Sequence, residues 1–100
     1  DVALTKGGYL AERLGCSSIM VNSLHGQGID RLAAKLAVEA VAEDGTIEAV
    51  RVENAQAFAL GLQWHPEHRV MENPVSLSLF QAFGDACRER AARRRLNAAA

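Results

Sequence analysis

The sequence has few cysteines, no long apolar run and almost no net charge, and each of these absences argues against a class of protein. Two cysteines in 100 residues, far apart, give no disulfide framework, which is typical of a reducing cytoplasm. No apolar stretch reaches the roughly 18 residues that a membrane span needs, and the first residues do not resemble a secretory signal. A net charge of -1 argues against nucleic acid or a membrane surface as the main partner.

The composition is that of an ordinary globular domain, with 49% hydrophobic and 23% charged residues. A chain of this length can fold, but only one predicted helix is long enough to cover a sheet of several strands. We therefore expect further layers of structure to come from outside the chain. The sequence begins with Asp1 and not with methionine, which suggests truncation or processing.

Short predicted elements follow one another, separated by glycine or proline. Tyr9–Leu14 reads as a short helix that ends at Gly15. Residues 19–21 are apolar without alternation, which predicts a strand buried on both faces, as in a parallel sheet flanked by helices. Two β-prone runs, 36–43 and 46–53, flank an Asp-Gly pair, and this pattern predicts an antiparallel hairpin.

Two further features complete the predicted sheet and its covering helix. The parity of the apolar residues changes within the second hairpin strand, which predicts a bulge near Ala49. Asn73 followed by Pro74 predicts a helix start, and the helix is expected to run to about Arg95. Its buried stripe is predicted from three- and four-residue spacing to comprise Leu77, Phe80, Phe83 or Gly84, Cys87 and Ala91.

The most informative segment closes a predicted strand over residues 57–64. Bulky side chains fall on one of its faces, namely Phe58, Leu60, Leu62 and Trp64. His65-Pro66-Glu67 follows, and proline biases His65 towards an extended backbone, with Glu67 within reach of the imidazole. A histidine with a carboxylate behind it supplies two members of a nucleophile, base and orienter triad. Trp64 is interpreted as a core residue, with a place in the site as the alternative.

Two separated strings occur together in this sequence: Asn22-Ser23-Leu24-His25-Gly26-Gln27 and, about forty residues later, Leu60-Gly61-Leu62-Gln63-Trp64-His65-Pro66-Glu67. With both strings in this order, the sequence resembles class I glutamine amidotransferase-like hydrolases. The nearest branch is that of the peptidase C26, γ-glutamyl-γ-aminobutyrate hydrolases. The resemblance implies a flavodoxin-like α/β fold with a mixed sheet and flanking helices. It also implies that residues 1–100 form the C-terminal part of a single domain, whose N-terminal half carries the nucleophile and the central strands.

The resemblance implies a Cys-His-Glu mechanism in which His65 is the general base and Glu67 orients it. A thiolate attacks the amide carbon of a small γ-glutamyl substrate, and water resolves the resulting γ-glutamyl thioester. No cofactor is implied. The loop residues that the resemblance places against the glutamyl group are Ser23, His25, Gly26 and Gln27, although the same string also reads as a structural turn.

The chain departs from the family at the nucleophile. Neither cysteine has the glycine-flanked pattern of a nucleophile on a tight turn, and we expect Cys16 and Cys87 to be small buried or half-buried residues. Two rival functions follow: a glutaminase subunit that delivers ammonia to a synthetase, and a non-catalytic, degenerate module. A metal site at His65, Glu67 and His68 is disfavoured because the helical two-histidine spacing is missing. A homo-oligomer is left open.

Overall fold

A computed structural model describes residues 1–99 and shows one antiparallel sheet with helices, a mixed α/β arrangement. The sheet has five strands in the order β2-β1-β3-β4-β5. In chain order the elements are β1 Val2–Leu4, α1 Tyr9–Leu14, β2 Ser18–Ile19, β3 Leu36–Ala42, β4 Ile47–Val52, β5 Leu60–Leu62, a 3-10 turn Val70–Glu72, and α2 Pro74–Ala99.

The predicted helix α1 and the predicted hairpin are both confirmed. Gly15 ends α1 in the left-handed region at φ 67°, which glycine adopts without steric cost. Strands β3 and β4 pair antiparallel around the Asp-Gly turn, where the Thr46 N–H donates to Asp44 at 3.0 Å. The Thr46 side chain, and then this backbone contact, hold the pKa of the Asp44 carboxyl below its ordinary value.

The bulge predicted near Ala49 is also confirmed, because the β3–β4 register shifts on both sides of the Ala40–Ala49 pair. One shift leaves Glu39 of β3 without an opposite residue, and the other does the same for Glu48 of β4. Both glutamates are buried. A bulge reorients a side chain locally, and both residues without an opposite partner here carry buried carboxylates.

Glu39 connects the hairpin to the start of α1. Its carboxylate accepts hydrogen bonds from the N–H groups of Tyr9 and Leu10 at 3.1 and 2.8 Å and from Arg51 Nε at 2.7 Å. A Cβ atom at Gly8 would lie 3.0 Å from both carboxylate oxygens. A residue without a side chain at position 8 therefore lets the buried carboxylate approach the helix.

The core lies where the sheet meets α1 and the first turns of α2. Its members are Val2, Leu4, Leu10, Ile19, Ala40, Ala49, Trp64 and Leu79. Asn73 caps α2 as predicted, since its side-chain oxygen accepts from the N–H groups of Val75 and Ser76 at 3.0 and 3.2 Å. Within residues 1–99, no helix combines the length and apolar character needed to cross a membrane.

The prediction of a doubly buried parallel strand at residues 19–21 is wrong. Strand β2 ends at Ile19, pairs antiparallel with β1 and lies at the edge of the sheet. Met20 is 72% exposed. Lack of alternation over three residues cannot separate a central strand from the end of an edge strand. The strand predicted over 57–64 also forms only as Leu60–Leu62, although its bulky face does contribute Trp64 to the core.

The predicted stripe on α2 is out of phase with the buried face. The buried residues are Ser76, Leu79 and Ala82, whereas Phe80 and Phe83 are 41% and 52% exposed. Of the buried residues on α2, Leu79 belongs to the core cluster. Phe83 lies beside Phe58, with the two ring centroids 5.9 Å apart. The helix also extends beyond the expected end, to Ala99.

Both cysteines are exposed, so their prediction as buried or half-buried residues is wrong. Cys16 follows the left-handed turn at Gly15, which leads the chain over the surface. Cys87 lies on α2 beyond the turns that cover the sheet, where the described side chains are exposed. Each cysteine is therefore a solvent-facing thiol within residues 1–99.

Candidate active site

His65 and Glu67 form a hydrogen-bonded pair directly after β5. His65 Nδ1 lies 2.7 Å from Glu67 Oε1. A hydrogen bond from its own backbone N–H, and then the one from His65, hold the pKa of the Glu67 carboxyl below its ordinary value. Because an ionised carboxylate only accepts hydrogen bonds, Nδ1 must carry the proton. In the neutral ring, Nε2 is then the basic nitrogen, and it has no hydrogen-bond partner within residues 1–99.

The local chain holds this pair in place through three features. Trp64 is 3% exposed and anchors the end of the strand in the core. Pro66 stops further pairing, and the His68 N–H donates to the His65 carbonyl at 3.2 Å, which closes a tight turn over 65–68. The Asn22 side chain also bonds the His65 backbone.

The pair faces an open surface. The side chains of His65 and Glu67 are 49% and 57% exposed, and they share a shallow depression with Leu24, His68 and Arg69. A catalytic base needs access to its reacting group, and this surface gives access to Nε2.

The four predicted substrate-binding residues lie together in a different depression. Ser23, His25, Gly26 and Gln27 line a cleft of about 550 Å³, closed on its other side by the turn of the β3–β4 hairpin. His65 and Glu67 do not line it. The two surfaces meet at Asn22, which lines the cleft and bonds His65.

His25 is held from both sides of its ring. Nδ1 lies 2.7 Å from the Gln27 carbonyl oxygen, and Nε2 lies 3.2 and 3.3 Å from the two carboxylate oxygens of Glu48. An imidazole satisfies two acceptors at once only when both nitrogens are protonated. The Gln27 carbonyl, followed by the charges of Glu48 and Asp44, accordingly raises the pKa of His25 above 6.5, and burial opposes this effect.

We expect the His25 ring to titrate above pH 6.5 in the protein, because neutral imidazole leaves one acceptor without a proton. Protonated His25 therefore stabilises the folded protein fully at pH values below the His25 pKa of the unfolded chain. This contribution is lost as the pH rises through the His25 pKa of the folded protein. An NMR titration of the ring measures this directly. In Glu48→Gln the midpoint is expected to fall, and a wild-type midpoint at or below 6.5 would disprove the two-acceptor arrangement.

Asn22 and Glu48 are the site residues that the sequence interpretation did not select. Glu48 has a detectable signal, since it is a charged residue where the apolar parity of the strand breaks, and charged residues are seldom buried unless paired. For Asn22 no such signal exists, because its partner His65 lies 43 positions away in the sequence. Within residues 1–99, no three His, Cys, Asp or Glu side chains are grouped to hold a metal ion.

Comparison with known proteins identifies one matching family and several related sequences. Residues 1–67 match the family described as Peptidase C26. The γ-glutamyl-γ-aminobutyrate hydrolase of Escherichia coli K12 is 48% identical over 88 residues, which cover 87% of this chain and 34% of that enzyme. A Schizosaccharomyces pombe protein, named as a candidate glutamine amidotransferase, is 40% identical over 80 residues, covering 80% of this chain and 31% of its own length. The chain thus spans about a third of the length of these curated relatives.

Proposed function

Since the chain belongs to the Peptidase C26 family, we propose that it supplies the general base and the orienting carboxylate of a cysteine hydrolase that cleaves γ-glutamyl amide bonds. The substrate class is γ-glutamyl-γ-aminobutyrate or a similar small amide. The observation that carries the proposal is the 2.7 Å contact between His65 Nδ1 and Glu67 Oε1, which leaves Nε2 available as a base.

In the proposed reaction, a cysteine thiolate from outside residues 1–100 attacks the amide carbon and forms a γ-glutamyl thioester. His65 Nε2 keeps the thiol ionised, gives its proton to the departing amine and then activates the water that resolves the thioester. Glu67 fixes the ring tautomer and stabilises the imidazolium at each protonated stage. No cofactor is needed for these steps.

The proposed architecture is a flavodoxin-like domain of the class I glutamine amidotransferase type, to which this chain contributes the C-terminal part. The remaining part of that domain supplies the nucleophile and covers the open surface around His65. Leu24 supports this assignment, because it is 58% exposed on the surface that it shares with His65 and Glu67. We place the enzyme in the cytoplasm, where two exposed free thiols remain reduced.

The proposed role of the 23–27 loop is to bind the glutamyl group. Ser23, Gly26 and Gln27 are exposed in the cleft, so their hydroxyl and backbone groups are available to a small polar ligand. His25 contributes by holding the loop, since both of its ring nitrogens face protein acceptors.

A glutaminase is the second candidate, favoured by the name of the Schizosaccharomyces pombe relative. The same histidine and carboxylate serve both reactions, so the substrate decides between them. The experiment uses the complete protein, meaning this chain together with the segment that carries the nucleophile. Amine release is measured from γ-glutamyl-γ-aminobutyrate and from glutamine under identical conditions.

Faster turnover of γ-glutamyl-γ-aminobutyrate supports the hydrolase, and faster turnover of glutamine supports the glutaminase. Activity on neither substrate supports a degenerate module and contradicts the proposal. We also expect the 100-residue chain alone to release no amine, because it lacks a positioned nucleophile. Turnover by that chain would show that Cys16 or Cys87 reacts.

A further inference from the structure

The Asn22 carboxamide pairs with the backbone of His65 through two hydrogen bonds. Asn22 Nδ2 donates to the His65 carbonyl oxygen at 2.8 Å, and the His65 N–H donates to Asn22 Oδ1 at 3.0 Å. A side-chain amide that bonds both the N–H and the C=O of one residue replaces the contacts that a neighbouring strand would make.

His65 needs such a partner because the sheet ends before it. The last bond between this segment and β4 runs from the Gln63 N–H to the Glu48 carbonyl oxygen at 2.7 Å. Pro66, the next residue after His65, has no N–H to donate. Beyond Gln63, the backbone of His65 is held by the Asn22 carboxamide and by the His68 N–H, which donates to the same His65 carbonyl oxygen as Asn22 Nδ2.

The imidazole itself has little other support. Its side chain is 49% exposed, and its hydrogen-bond partner Glu67 is 57% exposed, so packing does not fix the ring. The position of Nε2 therefore depends on the orientation of the His65 backbone. Catalytic geometry is sensitive to such positions, since a displacement of about 1 Å can cost a hundredfold in rate.

We infer that Asn22 is a positioning residue, which holds the His65 backbone so that the ring meets Glu67 and presents Nε2 to the reaction. The inference rests on the proposed function for its catalytic meaning. Asn22 acts through His65 and does not itself touch reacting atoms. It also directly precedes the 23–27 loop and lines the same cleft, so the same side chain joins the proposed substrate loop to the base.

Asn22→Asp is the sharpest variant because it keeps the size and shape of the side chain while it replaces the donor with a negatively charged acceptor. The aspartate keeps an oxygen for the His65 N–H, but it places a second oxygen against the His65 carbonyl, where Nδ2 donates at 2.8 Å. Asn22→Ala removes both contacts. Asn73→Ala is the matched control, because Asn73 also bonds backbone N–H groups through its carboxamide, but at the start of α2.

In the complete protein, both Asn22 variants are expected to lower kcat by about 10- to 100-fold, with KM changed by less than about threefold. Asn73→Ala is expected to lower the melting temperature by a few degrees and to leave kcat unchanged. A rise in KM with unchanged kcat would overturn the inference, since it would restrict Asn22 to shaping the substrate loop.

A second measurement does not depend on turnover. The ¹⁵N shifts of the His65 ring report which nitrogen carries the proton, and we expect Nδ1 in the wild type and in Asn73→Ala but a mixture of tautomers in Asn22→Asp. An unchanged ring spectrum in Asn22→Asp would overturn the inference. If the wild type hydrolyses no γ-glutamyl amide, the proposed function fails, and the ring spectrum alone decides the role of Asn22.

Discussion

His65→Ala is expected to reduce γ-glutamyl amide hydrolysis by the complete protein by at least about a thousandfold. Loss of the proposed base would remove proton transfer from every step of the proposed reaction, and losses of this kind typically span several orders of magnitude. The fold should persist, because the His65 side chain is half exposed and lies outside the core. Steady-state kinetics with γ-glutamyl-γ-aminobutyrate and a thermal melt of the same sample measure both effects.

His68→Ala provides the matched control for this prediction. His68 is an exposed histidine on the same surface, three positions further along the chain, and it makes no side-chain hydrogen bond within residues 1–99. We expect its replacement to change kcat by less than about twofold. Equal losses in the two variants would mean that the surface, and not the His65 base, determines the rate.

Glu39→Ala is expected to produce the largest loss of stability, about 3 kcal/mol in the free energy of unfolding. Glu39 is fully buried, and its removal leaves the N–H groups of Tyr9 and Leu10 without their acceptor. The Arg51 side chain is 41% exposed, so water solvates its charge and limits the penalty. Urea unfolding of the complete protein gives the value.

Two further glutamate variants test the reason for that loss. Glu39→Gln keeps one acceptor oxygen and should cost about half as much. Glu43→Ala removes an exposed glutamate from the same hairpin and should change stability by less than about 0.5 kcal/mol. A Glu39→Ala effect no larger than that of Glu43→Ala would contradict the buried-carboxylate account.

The parts of the fold that the sequence predicts are those fixed by neighbouring residues. The Asp44-Gly45 turn, the glycine at the end of α1 and the Asn73 cap each depend on contacts within a few positions, and all form as expected. The bulge is also visible in the local sequence, where the alternation of apolar residues changes around Ala49. Local chemistry was sufficient in each case.

The incorrect predictions concern which face of an element is buried and which strand it pairs with. Spacing along α2 is compatible with several helix faces, and the face that is buried carries Ser76, Leu79 and Ala82, whereas Phe80 is 41% exposed. The edge position of β2 likewise depends on its pairing with β1. The buried face of α2 and the pairing of β2 are determined by residues distant in the sequence and not by the segments themselves.

In the candidate site, too, local contacts were predicted from the sequence and long-range contacts were not. The His65–Glu67 contact spans two positions and was predicted from the local string. The contacts of Asn22 with His65 and of His25 with Glu48 span 43 and 23 positions, and only the three-dimensional arrangement reveals them. Long-range contacts of this kind connect the loop, the hairpin and the base into one proposed site.

The most direct test of the central claim is to find which cysteine carries the γ-glutamyl group during turnover. The complete protein is mixed with γ-glutamyl-γ-aminobutyrate, quenched in acid, digested and mapped by mass spectrometry. The account predicts a γ-glutamyl thioester on a cysteine outside residues 1–100 in the wild type, and little or none in His65→Ala. A thioester on Cys16 or Cys87, or equal labelling of the His65→Ala protein, would contradict it.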